Sequence, residues 1–343
     1  MNWLEQVIGK CSKNFFATVR YKNDRPVSQK RVILRSWLGI GITAAAGITN
    51  GAQGVLGKYA YEGHANVQTL LTIRFIVATL IVEAVLVVLH RRQKLPLRQP
   101  KRKLVGFSAL GLLYVAIALF YFLALKLLPA STTSLLYYVY PAFIVLWSTF
   151  FFKEKLSLLQ LVALVLALGG CFLTVDPLGA FASITRFNWI GILLAFACAL
   201  SSSWYAILAD RVSKGTPSFL LAAYSLPVTA FCFLLWFSIT LSFRIQMNLE
   251  GWLSCLVIGV LAGVSVYLLL VGISLIGASQ AAIVATTEPV TAVALAALLL
   301  AEPLTLTKLC GGLCITLAIV LLSQSKVTQK IDIVSSAGSK EEM

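Results

Sequence analysis

The chain has 343 residues, of which 59% are hydrophobic and 12% are charged, and its formal net charge is +15. A soluble domain carries about 25% charged residues, so this composition excludes a soluble globular protein. It predicts an all-α integral membrane protein, because repeated apolar stretches of about 20 residues cross a bilayer as helices.

Ten such stretches follow one another along the chain. In chain order we predict transmembrane helices at 37–60, 67–89, 104–126, 129–151, 157–175, 188–209, 217–242, 252–272, 277–300 and 304–323. Residues 1–35 are predicted to form a basic cytoplasmic tail, and residues 325–343 a polar, disordered cytoplasmic tail.

The first five spans and the last five repeat each other. Residues 104–161 align with residues 252–309 at a constant offset of 148, and the segments before them align at an offset of 152. The matched landmarks are Gly111 with Gly259, Pro141 with Pro289, Glu154 with Glu302, and Gly39 with Gly191. A duplicated hydrophobic unit is typical of transporters whose site lies between the repeats.

We therefore divide the chain into a first repeat at 36–175, a linker at 176–187 and a second repeat at 188–324. The linker contains Asp176-Pro177 and Gly179, which are typical of a helix end and a turn. Because each repeat has an odd number of spans, the second copy enters the membrane from the opposite side. The sequence thus predicts ten transmembrane helices in two inverted five-helix repeats.

The basic residues predict the orientation. If the N-terminus is cytoplasmic and the spans alternate, most of the 28 Lys and Arg fall on the cytoplasmic side. The positive-inside rule then places both termini in the cytoplasm, in a multi-pass protein of a plasma membrane or a bacterial inner membrane. Topology and the lipid bilayer account for the charge, so nucleic acid is not predicted as a partner.

Two stretches at equivalent places in the repeats carry a recognisable pattern. They run from Ser131 to Pro141 and on to Glu154-Lys-Leu156, and from Gly277 through Glu288-Pro-Val290 to Glu302-Pro-Leu304. With Arg74 in the second span and the five-span unit, residues 37–323 resemble the EamA type of the drug/metabolite transporter superfamily. The resemblance implies export or exchange of amino acids, metabolites, nucleotide sugars or drugs.

The resemblance also implies that spans 5 and 10 lie on the outside, where Gly169-Gly170 and Gly311-Gly312 would support packing. The sequence has no Walker motif, no phosphate-binding glycine loop and no catalytic carboxylate pair, so we predict neither an enzyme nor a cofactor. Two histidines in the chain, with Cys310 and Cys314 on one helix face, do not suggest a metal site.

Pro141 and Pro289 each lie near the middle of a predicted span. Proline removes a helix hydrogen bond and clashes with the carbonyl four residues earlier. In lipid such breaks are tolerated only where protein or a wet cavity surrounds them. One interpretation is a gate or substrate-contacting bend in each repeat, and the other is a kink that only shapes the bundle.

Glu288 is the most informative single residue. A carboxylate at the bilayer centre costs about 2.5–3.5 kcal/mol on insertion scales. It would bind a substrate amine or take up a proton and couple transport to it; alternatively, it is a protonated side chain that joins two helices. The equivalent residue in the first repeat is Tyr140.

Arg74 is the basic residue placed well inside a span. A fixed contact to backbone carbonyls is favoured over direct substrate binding. Because Arg74 is nearly alone, a phosphorylated substrate is disfavoured, whereas numerous aromatic rings suit an amphipathic or apolar organic substrate. The residues predicted to line the path, or else to bond helices together, are Asn50, Gln53, Arg74, Tyr121, Ser134, Tyr137, Tyr138, Ser202, Tyr205, Tyr267, Thr287 and Glu288.

The predicted function is secondary transport, by export or exchange, of small organic solutes such as amino acids or amphipathic metabolites and drugs. Alternating access would take place around a midplane cavity lined by spans 1, 3, 4, 6, 8 and 9. The proton is a candidate coupling ion, and a homodimer is left open. Two alternatives remain, a passive channel or facilitator and a non-transporting membrane component that handles lipid or assists assembly.

Overall fold

The computed structural model describes residues 29–93, 99–152, 158–174, 186–212, 216, 218–240, 246–285 and 287–321. Most of the predicted N-terminal tail, almost all of the linker, Glu154 and the C-terminal tail lie outside these residues. Within them the regular secondary structure is entirely helical.

The helices, numbered in chain order, are α1 Gln29–Glu62, α2 Val67–Gln93, α3 Lys101–Leu127, α4 Ala130–Tyr137, α5 Tyr140–Phe152, α6 Leu158–Thr174, α7 Arg186–Val212, α8 Ser218–Thr240, α9 Leu249–Val284, α10 Thr287–Leu299 and α11 Leu306–Leu321. Among the described residues, five segments are by themselves long and apolar enough to cross a membrane: Val67–Val88, Lys101–Leu127, Trp189–Ala209, Phe219–Thr240 and Leu249–Ile273.

The helices account for the ten predicted spans, with two differences in detail. The fourth span is divided into α4 and α5. The helix break predicted at residues 273–276, between the eighth and ninth spans, is wrong, because α9 stays helical from Leu249 to Val284. The chain nevertheless reverses direction between Ile276, which lies against Gly39, and Thr287, which lies against Gly47. No proline or glycine occurs at 273–276 to end the helix there.

The packing directions of three helices show that the repeats are inverted. α1 runs parallel to α3, since Gly54 lies against Tyr121 and Gly57 against Leu125. α3 runs antiparallel to α7, since residue 106 lies against Val212 and residue 128 against Gly191. The first helix of the second repeat therefore runs opposite to the first helix of the first repeat, as the odd span count predicts.

The two repeats are interlocked rather than placed side by side. α1 packs mainly against α9 and α10 of the second repeat, and α7 packs mainly against α3, α4 and α5 of the first. α2 and α8 contact each other, and each also packs against the third span of the other repeat. Each contact in this set has its counterpart when the repeats are exchanged, as a pseudo-two-fold axis requires.

The glycines that match in the sequence are the points of closest approach. Gly39 of α1 lies against Leu275 and Ile276, and Gly191 of α7 lies against Leu127 and Leu128, which are the same two residues at the offset of 148. A second pair behaves alike, because Gly111 lies against Val228 and Gly259 against Val77. Small residues let membrane helices approach closely, so these positions fix the spacing of the interlocked helices.

The helices α6 and α11 lie at the outside of the bundle. Leu158 and Val165 of α6 are exposed, as are Leu306 and Leu313 of α11. A Cβ atom added at Gly170 would lie 2.7 Å from the carbonyl oxygen of Gly311, so the predicted packing of these spans is confirmed at that pair. By contrast, a Cβ added at residue 169 would meet nothing within 4 Å.

Leucine at Gly39 or at Gly191 is expected to destabilise the protein by about 1–3 kcal/mol, because both positions would be overpacked. A Cβ atom would lie 2.5 Å from Ile276 Cγ2 in the first case and 2.7 Å from Leu128 Cγ in the second. The measurement is the thermal unfolding of the purified variants in detergent. The matched control is Gly41→Leu, where nothing lies within 4 Å of an added Cβ; equal losses for all three variants would contradict the interlocked packing.

Candidate functional site

Two helix breaks, one in each repeat, meet where the repeats contact each other. α4 ends at Tyr137 and α5 begins at Tyr140, so Pro141 lies in the first turn of α5. α9 ends at Val284 and α10 begins at Thr287, so Pro289 lies in the first turn of α10. Proline is tolerated in a first turn because the missing N–H has no partner there. α4 and α10 contact each other, which brings the two breaks together.

Glu288 is held at this junction by a side chain of α1 and lies beside a tyrosine of the break in the first repeat. Its Oε2 accepts a hydrogen bond of 3.2 Å from Asn50 Nδ2 of α1. Tyr138, in the break between α4 and α5, lies close to the same carboxylate. Gln53 Nε2 donates to Asn50 Oδ1 at 2.9 Å and so fixes the orientation of the Asn50 amide. Three predicted path residues thus form one hydrogen-bonded group, with Tyr138 beside it, and the four are here called the Glu288 cluster.

Glycines of α1 allow α10 to bring Glu288 this close. A Cβ atom added at Gly51 would lie 2.6 Å from the carbonyl oxygen of Glu288 and 2.9 Å from Thr291 Cβ. Thr287 faces Gly47 in the same way, and its buried hydroxyl has no hydrogen-bond partner among the described residues. The close approach of backbone to backbone therefore positions the carboxylate against α1.

Tyrosine rings form a wall beside the Glu288 cluster. The ring of Tyr137 lies 5.8 Å from that of Tyr121, 5.2 Å from that of Tyr138 and 5.4 Å from that of Tyr140, measured between centroids. The hydroxyl of Tyr121 lies 3.0 Å from Ser134 Oγ. Such rings present apolar faces with polar edges, which suits an amphipathic ligand.

The Arg74 guanidinium contacts aromatic rings in the described part of the chain, whereas a contact to backbone carbonyls was expected. Its guanidinium carbon lies 5.2 Å from the ring centroid of Phe75 and 5.0 Å from that of Phe122, within the range of cation–π attraction. Its Nε is buried and has no hydrogen-bond partner within the part of the chain that the structure describes. The sequence of α2 alone does not reveal the aromatic neighbour that α3 supplies.

The predicted residues of the sixth and eighth spans do not join the Glu288 cluster. Ser202 donates its hydroxyl to the carbonyl of Cys198 one turn earlier, at 2.9 Å. Tyr205 lies close to Ser225 of α8, and the centroid of its ring lies 5.7 Å from that of Tyr114 of α3. Tyr267 packs against the larger apolar core. These side chains lie at other helix–helix contacts and do not form one polar site with the Glu288 cluster.

Glu302 has a contact that the sequence analysis did not identify. Its carboxylate accepts hydrogen bonds from the backbone N–H of Ala130 at 2.6 Å and of Ser131 at 3.2 Å, and from the Ser131 hydroxyl. It thereby caps the N-terminus of α4, satisfying N–H groups that have no partner within the helix. The matching of Glu154 with Glu302 between the repeats was the available signal, although no pattern pointed to the partner.

Replacing Glu302 by Ala is expected to destabilise the protein by about 1–3 kcal/mol, because it leaves buried N–H donors of α4 without an acceptor. Glu302→Gln keeps the size and one acceptor oxygen and should lose less. The measurement is thermal unfolding in detergent. The control is Glu62→Ala, since Glu62 is exposed and shares the neighbour Lys58 with Glu302. A stability loss no larger than that of the control would contradict the capping role.

Comparison with known proteins agrees with this architecture. Residues 37–176 and 189–324 match the EamA-like transporter family. The chain is 28% identical over 295 residues to the uncharacterised inner membrane transporter YicL of Salmonella typhimurium, covering 81% of this chain and 92% of that protein. It is 28% identical over 246 residues to the uncharacterised transporter sll1319 of Synechocystis sp., covering 68% and 71%.

A shorter match links it to the aromatic amino acid exporter YddG of Ancylobacter novellus, with 35% identity over 114 residues, which is 32% of this chain and 38% of that one. A solved crystal structure shares the fold with a TM-score of 0.60 at 22% identity, covering 83% of this chain and 98% of its own. The family match extends over both repeats. The chain is a multi-pass membrane protein that belongs to the EamA-like transporter family.

Proposed function

We propose that this protein is a secondary transporter that exports or exchanges amino acids or amphipathic metabolites by alternating access. The observation that carries the proposal is the Glu288 cluster, an acidic side chain held by α1 and α10 where the two helix breaks meet. Transporters of inverted repeats bind substrate at such interrupted helices between the repeats. The carboxylate would receive a substrate ammonium group or a coupling proton.

The neighbouring groups support an organic solute rather than a bare ion. The wall of tyrosines offers apolar faces of the size of an aromatic or aliphatic side chain. A substrate amine would take the place of the Asn50 or Tyr138 donor at the Glu288 carboxylate. The name of the Ancylobacter novellus relative, an aromatic amino acid exporter, agrees with this substrate class.

The interlocked packing supports a specific division into moving parts. The first helix of each repeat groups the spans: α1 and α2 pack with α9 and α10 in one bundle, and α7 and α8 pack with α3, α4 and α5 in the other. The contacts of α2 with α8 and of α4 with α10 lie between the two bundles. Each bundle takes its first two spans from one repeat and its third and fourth from the other. Rocking of one bundle against the other would open the Glu288 cluster alternately to the two sides of the membrane.

The alternative is a purely structural role, in which Glu288 only joins α10 to α1 and to the break after α4. The two interpretations differ in what Glu288→Gln does. The amide can still bond to Asn50 and Tyr138, so a structural role predicts nearly normal transport. A role in proton coupling predicts loss of gradient-driven uptake and retention of exchange, because exchange needs no net proton movement.

We expect Glu288→Gln to abolish proton-gradient-driven uptake of radiolabelled L-phenylalanine, L-leucine or L-threonine into proteoliposomes and to spare energy-independent counterflow of the same amino acid. Glu83→Gln, which replaces another carboxylate within a span, is the control and should retain both activities. Unchanged pH dependence of uptake in Glu288→Gln would remove the coupling role. Flux without saturation or counterflow would favour a passive channel instead.

We further propose that both termini are cytoplasmic, in line with the distribution of Lys and Arg. In a cysteine-free background, single cysteines placed in residues 1–28 and 326–343 should react with a membrane-impermeant maleimide only after the cells are permeabilised. Labelling of one terminus in intact cells would contradict an even number of spans.

A further inference from the structure

We propose that one end of the helical bundle is a closed gate over the Glu288 cluster, and that hydrogen bonds of Tyr61 and Glu302 hold it closed. The inference rests on the proposed function and deepens it, because these bonds join the two bundles that would rock against each other. The gate lies at the end of the molecule where α1 finishes at Glu62 and α2 begins at Val67. This end, here called the outer end, faces away from the cytoplasm in the proposed topology.

Two sets of hydrogen bonds join the bundles at the outer end. Tyr61 of α1 donates its hydroxyl to the backbone carbonyl of Phe122 in α3 at 2.6 Å. Glu302, which follows α10, accepts hydrogen bonds from the backbone N–H groups of Ala130 and Ser131 in α4. In both sets the donor and the acceptor belong to different bundles, so separation of the bundles at this end has to break both.

The packing around these bonds is tight. Every residue of α4 from Ala130 to Leu136 is buried. A Cβ atom added at Gly57 of α1 would lie 2.6 Å from Leu125 Cδ2 of α3, and one added at Gly54 would lie 3.7 Å from Ser134 Oγ of α4. The bundles are therefore in direct contact from the outer end inward as far as Ser134.

The opposite end of the molecule is packed more loosely. In α7 none of the residues 204–209 is buried, although this stretch makes more than one full turn and so presents every face of the helix. In α1 nothing lies within 4 Å of a Cβ atom added at Gly41. A molecule that is tight at the outer end and loose at the other has the form of one end state of alternating access.

Lys58 offers Glu302 a second partner. Lys58 lies in α1 and within the electrostatic influence of Glu302. Because α1 and α10 belong to the same bundle, Lys58 moves together with Glu302 when the outer end opens, whereas the N–H groups of α4 move away. A carboxylate without a partner is costly inside a membrane, and Lys58 lowers that cost. The exchange of partners keeps the closed and open states close in free energy, so that a ligand can shift their balance.

Tyr59 makes the same kind of bond as Tyr61, but within one bundle. Its hydroxyl donates to the backbone carbonyl of Leu299, at the end of α10, at 2.8 Å. Since α1 and α10 move together, this bond does not resist opening. The two tyrosines are thus a matched pair, because the same substitution removes a bond between bundles at one position and a bond within a bundle at the other.

The test measures how fast a cysteine behind the gate reacts from the outer side. Ser134→Cys is made in a cysteine-free protein, because Ser134 is buried against α1. A membrane-impermeant maleimide is applied to intact cells or to inside-out vesicles, whichever exposes Glu62→Cys at the end of α1.

Ser134→Cys alone should react slowly, because the gate is closed. Adding Tyr61→Phe should raise the rate about 3- to 10-fold and adding Glu302→Gln about 10- to 100-fold, since each weakens bonds that exist only in the closed state. Adding Tyr59→Phe should leave the rate near that of Ser134→Cys alone. Adding Lys58→Gln should slow the reaction further, because it removes the partner of Glu302 in the open state.

Three results would overturn the gate: fast reaction of Ser134→Cys alone, equal rates with Tyr61→Phe and Tyr59→Phe, or no increase with a stably folded Glu302→Gln. If Glu302→Gln does not fold, the matched tyrosines decide. A faster reaction with Lys58→Gln would contradict the exchange of partners. Counterflow of L-phenylalanine, L-leucine and L-threonine is measured in the same proteins. Its absence in all of them, including the wild type, would count against the proposed function, whereas normal counterflow with unchanged labelling rates would count against the gate alone.

Discussion

The structure depends on the close packing of each repeat's first helix against the third and fourth spans of the other repeat. In lipid this packing has no hydrophobic driving force, so it relies on van der Waals contact at short range. Glycines at equivalent positions of the two repeats let the helices come close enough for this contact. Gly39 and Gly191 both lie against two consecutive apolar residues of the opposite repeat. Neither repeat can complete its packing without the other.

This interlocking also determines where polar groups can lie. Because α10 lies close to α1 along Gly47 and Gly51, the first turn of α10 places Glu288 beside Asn50. The break between α4 and α5 adds Tyr138 from the other repeat. A carboxylate that would be costly in lipid thus lies among polar side chains of two separate segments, α1 and the break between α4 and α5. The site exists only because the repeats are packed in this way.

The cap on α4 shows the same dependence at the opposite end of the helix. The loop after α10 brings Glu302 to the backbone N–H groups of Ala130 and Ser131. The short helix α4, with 8 residues, cannot be stable on its own. Its first turn is fixed by a charge from the second repeat, and its other end lies at the Glu288 cluster. The cap therefore links the rigidity of the site to the contact between repeats.

Much of the architecture could be predicted from the sequence, because span length, span number and the offset between repeats are properties of the chain itself. Because each repeat has five spans, an odd number, the second repeat must be inverted relative to the first. The glycines that match between the repeats identify points of helix contact. Features that depend on the partner across an interface could not be predicted. Nothing in α2 indicates that Phe122 of α3 will face Arg74, and nothing near Glu302 names Ser131 as its partner. Ser202 is the sequence counterpart of Asn50 but does not reach across to another helix, because its short hydroxyl bonds to a carbonyl of its own helix.

The backbone of the two repeats is nearly symmetric, but the chemistry of the junction is not. Glu288 of the second repeat is matched by Tyr140 in the first, and Asn50 by Ser202. Under the proposed alternating access, the paired contacts would make inward- and outward-open arrangements comparable in packing. A small free-energy difference would then separate the two arrangements, and a bound ligand or proton would shift the balance. The asymmetric side chains would confine binding to one place, so that a single site near the pseudo-two-fold axis serves both arrangements.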